Sequence, residues 1–137
     1  MAKRKDIPRP HNGGEWTVSR YNSFVKAALR KARWPVKYKV LKSAYVRDGI
    51  NPATGRKCKL HQCIECKQLF PQKDIQIDHI EPIVPTTGFT NWDDVITRMF
   101  CEEDNLQPLC RECHKIKSGV EREERKAYKD TQKEKTL

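Results

Sequence analysis

Two cysteine pairs, Cys63-Ile-Glu-Cys66 and Cys110-Arg-Glu-Cys113, are separated by 43 residues in a chain of 137. A C-x-x-C spacing lets both thiolates of a pair reach one ion, and two pairs complete the closed tetrahedral shell expected of structural zinc. For either pair alone the alternative is a thioredoxin-like redox motif, but no βαβ pattern surrounds them. The gap is longer than in a simple zinc ribbon, which implies an insert between the knuckles. Cys58 and Cys101 are spare and read as ordinary half-buried thiols, although Cys58 is close enough to the first knuckle to replace a ligand there. His11 and His61 read as surface or loop histidines with no assigned role.

The insert carries Ile77-Asp78-His79-Ile80-Glu81-Pro82. Asp104-Asn105-Leu106-Gln107-Pro108-Leu109 leads into Cys110, and His114-Lys115-Ile116-Lys117 follows Cys113. Taken in order, knuckle, Asp-His, Asn, second knuckle and trailing His, the stretch from about Cys63 to Lys117 resembles the HNH endonuclease family. Residues 19–47 resemble, more loosely, the basic helical leader of small phage-encoded HNH proteins. The resemblance implies an α+β fold: a ββα-metal finger of strand, strand and helix, its ends clamped by the Cys63, Cys66, Cys110 and Cys113 zinc site, with a basic N-terminal helical extension. It also implies a role for Asn105, either in orienting the base and its hairpin or in binding the catalytic metal.

Phosphodiester hydrolysis needs an activated water, neutralised phosphoryl charge and a stabilised leaving alkoxide. His79, with an ordinary imidazole pKa of about 6.5, suits the general base. Asp78 is the anionic metal ligand, and His114, positioned by its neighbour Cys113, is the second. Adjacent strand residues point to opposite faces, so service to one site by Asp78 and His79 implies a bend or a strand end. The catalytic cation expected is Mg2+, with Mn2+ or another transition metal as alternatives. Each fragment also has a plainer meaning: Asp-His dipeptides are common, Asn105 can brace a turn, His114 can be a bystander beside zinc, and Lys115 and Lys117 can be a solvated helix face instead of phosphate contacts.

Supporting elements follow from periodicity. In SRYNSFVKAALRKARW, Tyr21, Phe24, Val25, Ala28, Leu29 and Ala32 recur at helical spacing after Ser19, a suitable N-cap, so this stripe is expected to pack inward. Lys26, Arg30, Lys31 and Arg33 lie largely off the stripe, toward phosphates. Pro35 breaks this helix and can start a second, from Val36 to about Arg47, with Lys37 and Lys39 as further DNA contacts and Gly49 as its stop. Asn51, Pro52 and Gly55 mark a loop. Leu69 and Phe70, then Ile75, Ile77 and His79, predict short strands in a hairpin-like element. Thr90 or Asn91 caps a helix whose stripe Trp92, Val95, Ile96, Met99 and Phe100 is core. A last helix starts near Arg111. The organisation expected is a disordered basic arm (1–18), a basic DNA-binding extension (19–59), the nuclease core (60–119) and a charged helix or tail (120–137).

Charge is partitioned: residues 1–59 hold 16 Lys/Arg against 3 Asp/Glu, and residues 60–137 hold 12 against 15. A polyanion facing the front half is expected, with DNA, RNA and an anionic membrane surface all open on charge alone. With 36% hydrophobic and 34% charged residues, the apolar surface available for burial is limited, a position in which small domains commonly need a metal or disulfide staple. MAKRKDIPRP lacks the apolar stretch of a signal peptide and no later segment reaches membrane-spanning length. A reducing cytoplasm is expected, the host's if the protein is phage-encoded. The functional expectation is a metal-dependent nuclease nicking or cutting DNA, as a homodimer or with a phage DNA-processing partner. The alternative is a zinc-stabilised nucleic-acid-binding protein without cleavage activity, or one whose basic face meets an acidic protein.

Overall fold

A computed structural model of the chain describes residues 7–135. They form a mixed α+β structure that divides after Arg33 into two compact units, with four helices and five strands. Among the described residues no helix is long and apolar enough to cross a membrane.

In the first unit, residues 1–6 of the expected arm lie outside the described residues. His11 bridges to Trp16 around a turn, and helix α1 (Val18–Arg30) follows. Its N-cap is Thr17 and not Ser19: the Thr17 side chain accepts from the Arg20 N–H. The stripe expected to pack inward is not a core face, since no α1 residue is buried and Phe24 is 58% exposed. Its aromatic rings meet the preceding turn instead, Tyr21 stacking on His11 and Phe24 tilting against Trp16.

The second unit opens with α2 (Pro35–Ala44), Pro35 occupying the first turn where its missing N–H costs nothing. Val36, Val40 and Ala44 are buried at helical spacing. The helix ends three residues sooner than its sequence predicts. Tyr45 and Val46, aromatic and β-branched, start strand β1 (Tyr45–Ile50), which pairs antiparallel with β2 (Lys57–Gln62). Gly49 is a strand residue and not a helix stop; a Cβ there would collide with the Leu60 side chain. Strand β3 (Leu69–Pro71) completes a sheet of order β1-β2-β3. The stretch 19–59 is thus divided between two units and contains strands as well as helices.

After a 3-10 turn at Gln72–Asp74, β4 (Ile75–His79) pairs antiparallel with β5 (Leu106–Cys110) without a break in register, Ile75↔Cys110 through His79↔Leu106. Between them α3 (Trp92–Met99) is capped by Asn91, whose side chain accepts from the Asp94 N–H. Val95 and Met99 are buried, but Ile96 is exposed, so the expected core stripe is narrower by one residue. Helix α4 (Arg111–Lys135) continues through the charged segment as one helix of 25 residues, none of them buried.

The core of this unit is small and in two parts. Cys63, Ile75, Leu109 and Cys110 form one cluster, Val36, Val40 and Leu106 the other, and Ile77 packs against both. Leu109→Ala should therefore lose about 2–5 kcal/mol, the usual cost of a buried Leu truncation, read as a lower urea midpoint with an unchanged slope.

Candidate metal centre and polar site

The four cysteine sulfurs all lie within 4.8 Å of one another. Cys63 follows directly on β2, and a tight turn brings Cys66 round: the Cys63 N–H donates to the Gln68 carbonyl, the Lys67 N–H to the Cys63 carbonyl, and Lys67 takes a left-handed φ of 65°. The Ile64 N–H donates to the Pro108 carbonyl at 2.9 Å, fixing this turn against β5. Cys110 ends β5 and Cys113 lies in the first turn of α4, its N–H 3.5 Å from the Cys110 sulfur. Tetrahedral zinc with ligands at about 2.3 Å places sulfurs about 3.8 Å apart. Cys66 and Cys110 are at 4.0 Å, so the four cysteines fit a structural metal such as zinc. Cys58 and Cys101 take no part in the cluster.

Electrostatics favour the same conclusion. Burial pushes the Cys63 thiol up, but the N–H groups of Cys110, Cys66 and Glu65 outweigh it and bring the thiol down to about 6. At Cys66 the Gln68 N–H lowers the thiol, but desolvation and the Cys63 and Cys110 sulfurs leave it raised. Cys113, hydrogen-bonded to Cys110 and desolvated beside Cys63 and Cys66, is pushed up to about 12. The cluster accepts a thiolate readily at Cys63 and resists one at Cys66 and Cys113, as crowded anions do in the absence of a cation.

A second polar cluster lies where β4, β5 and α4 meet. The Asp78 carboxylate accepts from the Gln107 side chain at 3.1 Å and pairs with Lys117 Nζ at 3.1 Å. His114 Nε2 lies 3.4 Å from its other oxygen. Lys117 also donates to the His79 carbonyl at 2.9 Å and to Glu121. Its burial lowers the ammonium pKa, but Glu121 and Asp78 outweigh this and leave it raised. Lys117 is therefore not part of a solvated helix face; its charge is engaged with Asp78 and Glu121. Lys115 is exposed.

His79 is the last residue of β4 and buried. The ladder has no bulge, so the bend the sequence allowed is absent and the strand end is what remains. The imidazole Nε2 donates to the Met99 carbonyl at 2.9 Å, one of the helix-terminal carbonyls that α3 leaves without an internal partner. A carbonyl only accepts, so Nε2 carries a proton. Asp78 thus turns to α4 and His79 to the end of α3. Asn105 braces the residues just after His79: its Oδ1 accepts from the Glu81 N–H at 2.9 Å, its Nδ2 donates to the Glu81 carbonyl at 3.3 Å, and its own carbonyl accepts from the Ile80 N–H.

Of the residues singled out by sequence, Asp78 and His114 come together. His79 and Asn105 share the end of β4, and the four cysteines gather. Lys26, Arg30, Lys31 and Arg33 lie in the first unit, Lys37 and Lys39 on α2 of the second. His61, expected at the surface, is buried at 3% exposure, and its Nδ1 has no hydrogen-bond partner among the described residues. Pairing of β2 between β1 and β3 places it there. Gln107 and Glu121 were not anticipated: Gln107 depends on the β4–β5 register, whereas Glu121 was legible as the i+4 partner of Lys117. No protein-family model, curated protein or solved structure matches the chain.

One zinc per chain is expected by elemental analysis, falling below one-half in Cys63→Ser. In the metal-free chain the Cys63 thiolate, held more readily in the folded state than at the ordinary 9.0, stabilises fully above pH 9. That contribution disappears as pH falls toward 6, and Cys63→Ser should flatten this part of the Tm profile.

Proposed function

We propose that the chain is a zinc-stapled, metal-dependent endonuclease of the HNH kind that hydrolyses DNA phosphodiester bonds. The observation that carries this reading is the convergence of Asp78 and His114 from different elements to 3.4 Å. Two donors at about 2.1 Å from one ion lie about 3.0–3.4 Å apart, so the pair suits a shared divalent cation. Such a cation, Mg2+ first, would neutralise phosphoryl charge and stabilise the leaving alkoxide. Water and phosphate oxygens would complete the shell of such a cation, as they usually do for Mg2+.

His79, at the strand end, is the general base that takes the proton of the attacking water. The Met99 carbonyl holds the imidazole in place, and Asn105, locked to Glu81, holds the chain that follows the base. In this reading Asn105 orients the base. The β4–β5–α4 succession supports the ββα-metal comparison, and the cysteines hold its two ends. Arg30, Lys31, Arg33, Lys37 and Lys39 supply phosphate contacts, and double-strand cleavage from one site needs a homodimer, a partner or two successive nicks.

A second reading, a zinc-stabilised DNA-binding protein without cleavage, is favoured by Lys117, whose ammonium already neutralises Asp78 at 3.1 Å. Incubation of supercoiled plasmid with the purified chain in Mg2+, Mn2+ or chelator separates the two. Metal-dependent nicking is expected, reduced at least ~100-fold in a folded, zinc-loaded His79→Ala, in line with loss of a general base, and similarly in Asp78→Asn. Plasmid that is bound but left intact with every metal overturns the nuclease reading in favour of the second.

A further inference from the structure

The β1–β2 hairpin has no part in the site above, and its composition does not follow from packing. β1 packs chiefly on β2. Arg47, Arg56, Lys57 and Lys59 on the hairpin are exposed against a single acid, Asp48, in a unit whose remainder from residue 60 onward is acidic. Register sorts the faces: Gly49, Cys58 and the buried Leu60 lie on one, whereas Asp48, Ile50, Lys57 and Lys59 lie on the other. Ile50 is 63% exposed beside these lysines, and an open cleft of about 550 Å³ lies among Asp48, Gly49, Ile50, Lys57, Cys58 and Lys59. Among the described residues Arg56, Lys57 and Lys59 make no ion pair.

β3 pairs only with Leu60–Gln62 of β2, so from Lys57 to Lys59 the hairpin projects as a two-stranded ribbon with open edges; charge on such edges prevents strand-to-strand aggregation, but that role does not call for the exposed Ile50 between the lysines. The tip is rigid as well. The Asn51 N–H donates to the Arg56 carbonyl, its carbonyl accepts from the Gly55 N–H, and its side chain accepts from the Ala53 N–H, with Gly55 at a left-handed φ of 71°. A preformed ribbon loses little entropy on binding.

We propose that this hairpin binds duplex DNA as a two-stranded ribbon in the major groove, with Arg56, Lys57 and Lys59 on phosphates and Ile50 toward the base edges. A two-stranded ribbon fits the B-form major groove, whereas the A-form groove of duplex RNA is too narrow to enter. The inference rests on DNA being the partner under the reading above.

The test is binding of the full, zinc-loaded chain to a short DNA duplex over a range of salt, beside Arg56→Gln/Lys57→Gln/Lys59→Gln, with circular dichroism and zinc content measured on both. The slope of log K against log salt should fall by up to about 2.7, roughly 0.9 for each phosphate that the neutral variant leaves unneutralised. Protection of guanine N7 from dimethyl sulfate, given by the wild type, should disappear. The charge-keeping variant Arg56→Lys/Lys57→Arg/Lys59→Arg should restore the slope, which a merely misfolded triple variant would not explain. If the wild type binds the duplex and the neutral variant keeps both slope and protection, the hairpin does not touch the DNA and the DNA reading stands. If the wild type shows no salt-dependent binding to the duplex, both fall. Preference for an RNA duplex of the same length, weakened by the neutral variant, overturns the proposal in favour of RNA.

Discussion

Four thiols confined within 4.8 Å cannot all ionise unless a cation joins them, because each thiolate raises the cost of the next. That constraint organises the larger unit. The sulfurs come from the residue after β2, the turn behind it, the end of β5 and the first turn of α4, so a metal here ties both sheets to the long helix. The apolar core around them is two small clusters joined through Ile77, and Val95 and Met99 of α3 are buried as well. Cys63 and Cys110 are themselves members of that core, and metal binding and packing reinforce each other at the same residues.

The polar cluster at Asp78 depends on the same junction. His114 follows Cys113 on α4 and Lys117 lies one turn further, so both side chains reach β4 only because the cysteines anchor the start of the helix beside β5. Arg125 extends this attachment, donating to the carbonyls of Val84 and Pro85, and Arg98 reaches the Pro82 carbonyl from α3. The segment between β4 and α3 is thereby held by guanidinium groups from two helices and by Asn105 from the approach to β5. Loops near a candidate catalytic residue are useful when rigid, and here backbone carbonyls that would otherwise need water are paired with charged donors.

Positive charge is distributed separately from this junction. The first unit and α2 carry basic side chains on helices, the hairpin carries them on strands, and the residues from 60 onward are net acidic. The carboxylates of Asp78 and Glu121 are turned inward and share the Lys117 ammonium, whereas the hairpin cations are exposed. Fold and electrostatics thus divide the work: cysteines and a few apolar side chains set the geometry, and exposed cations set what can approach it.

The cysteine site was legible in the sequence because a C-x-x-C pair is local: two residues between ligands bring both sulfurs to one ion whatever the surrounding fold. The α3 cap at Asn91 and the start of α4 were legible for the same reason. Juxtapositions between distant residues were not. The end of α2 at Ala44, the burial of His61 and the partnership of Asp78 with Gln107 depend on strand register, which turns on side chains far apart in the chain and cannot be read from spacing. Helical periodicity also misled at α1, where apolar residues at core spacing are covered by the rings of the neighbouring turn and not by a core. Residue types and short spacings therefore determined which groups could bind metal. Tertiary structure alone decided that Asp78 meets His114 and Lys117 while His79 turns to α3, because adjacent strand residues face opposite ways and only packing sets what lies on each side.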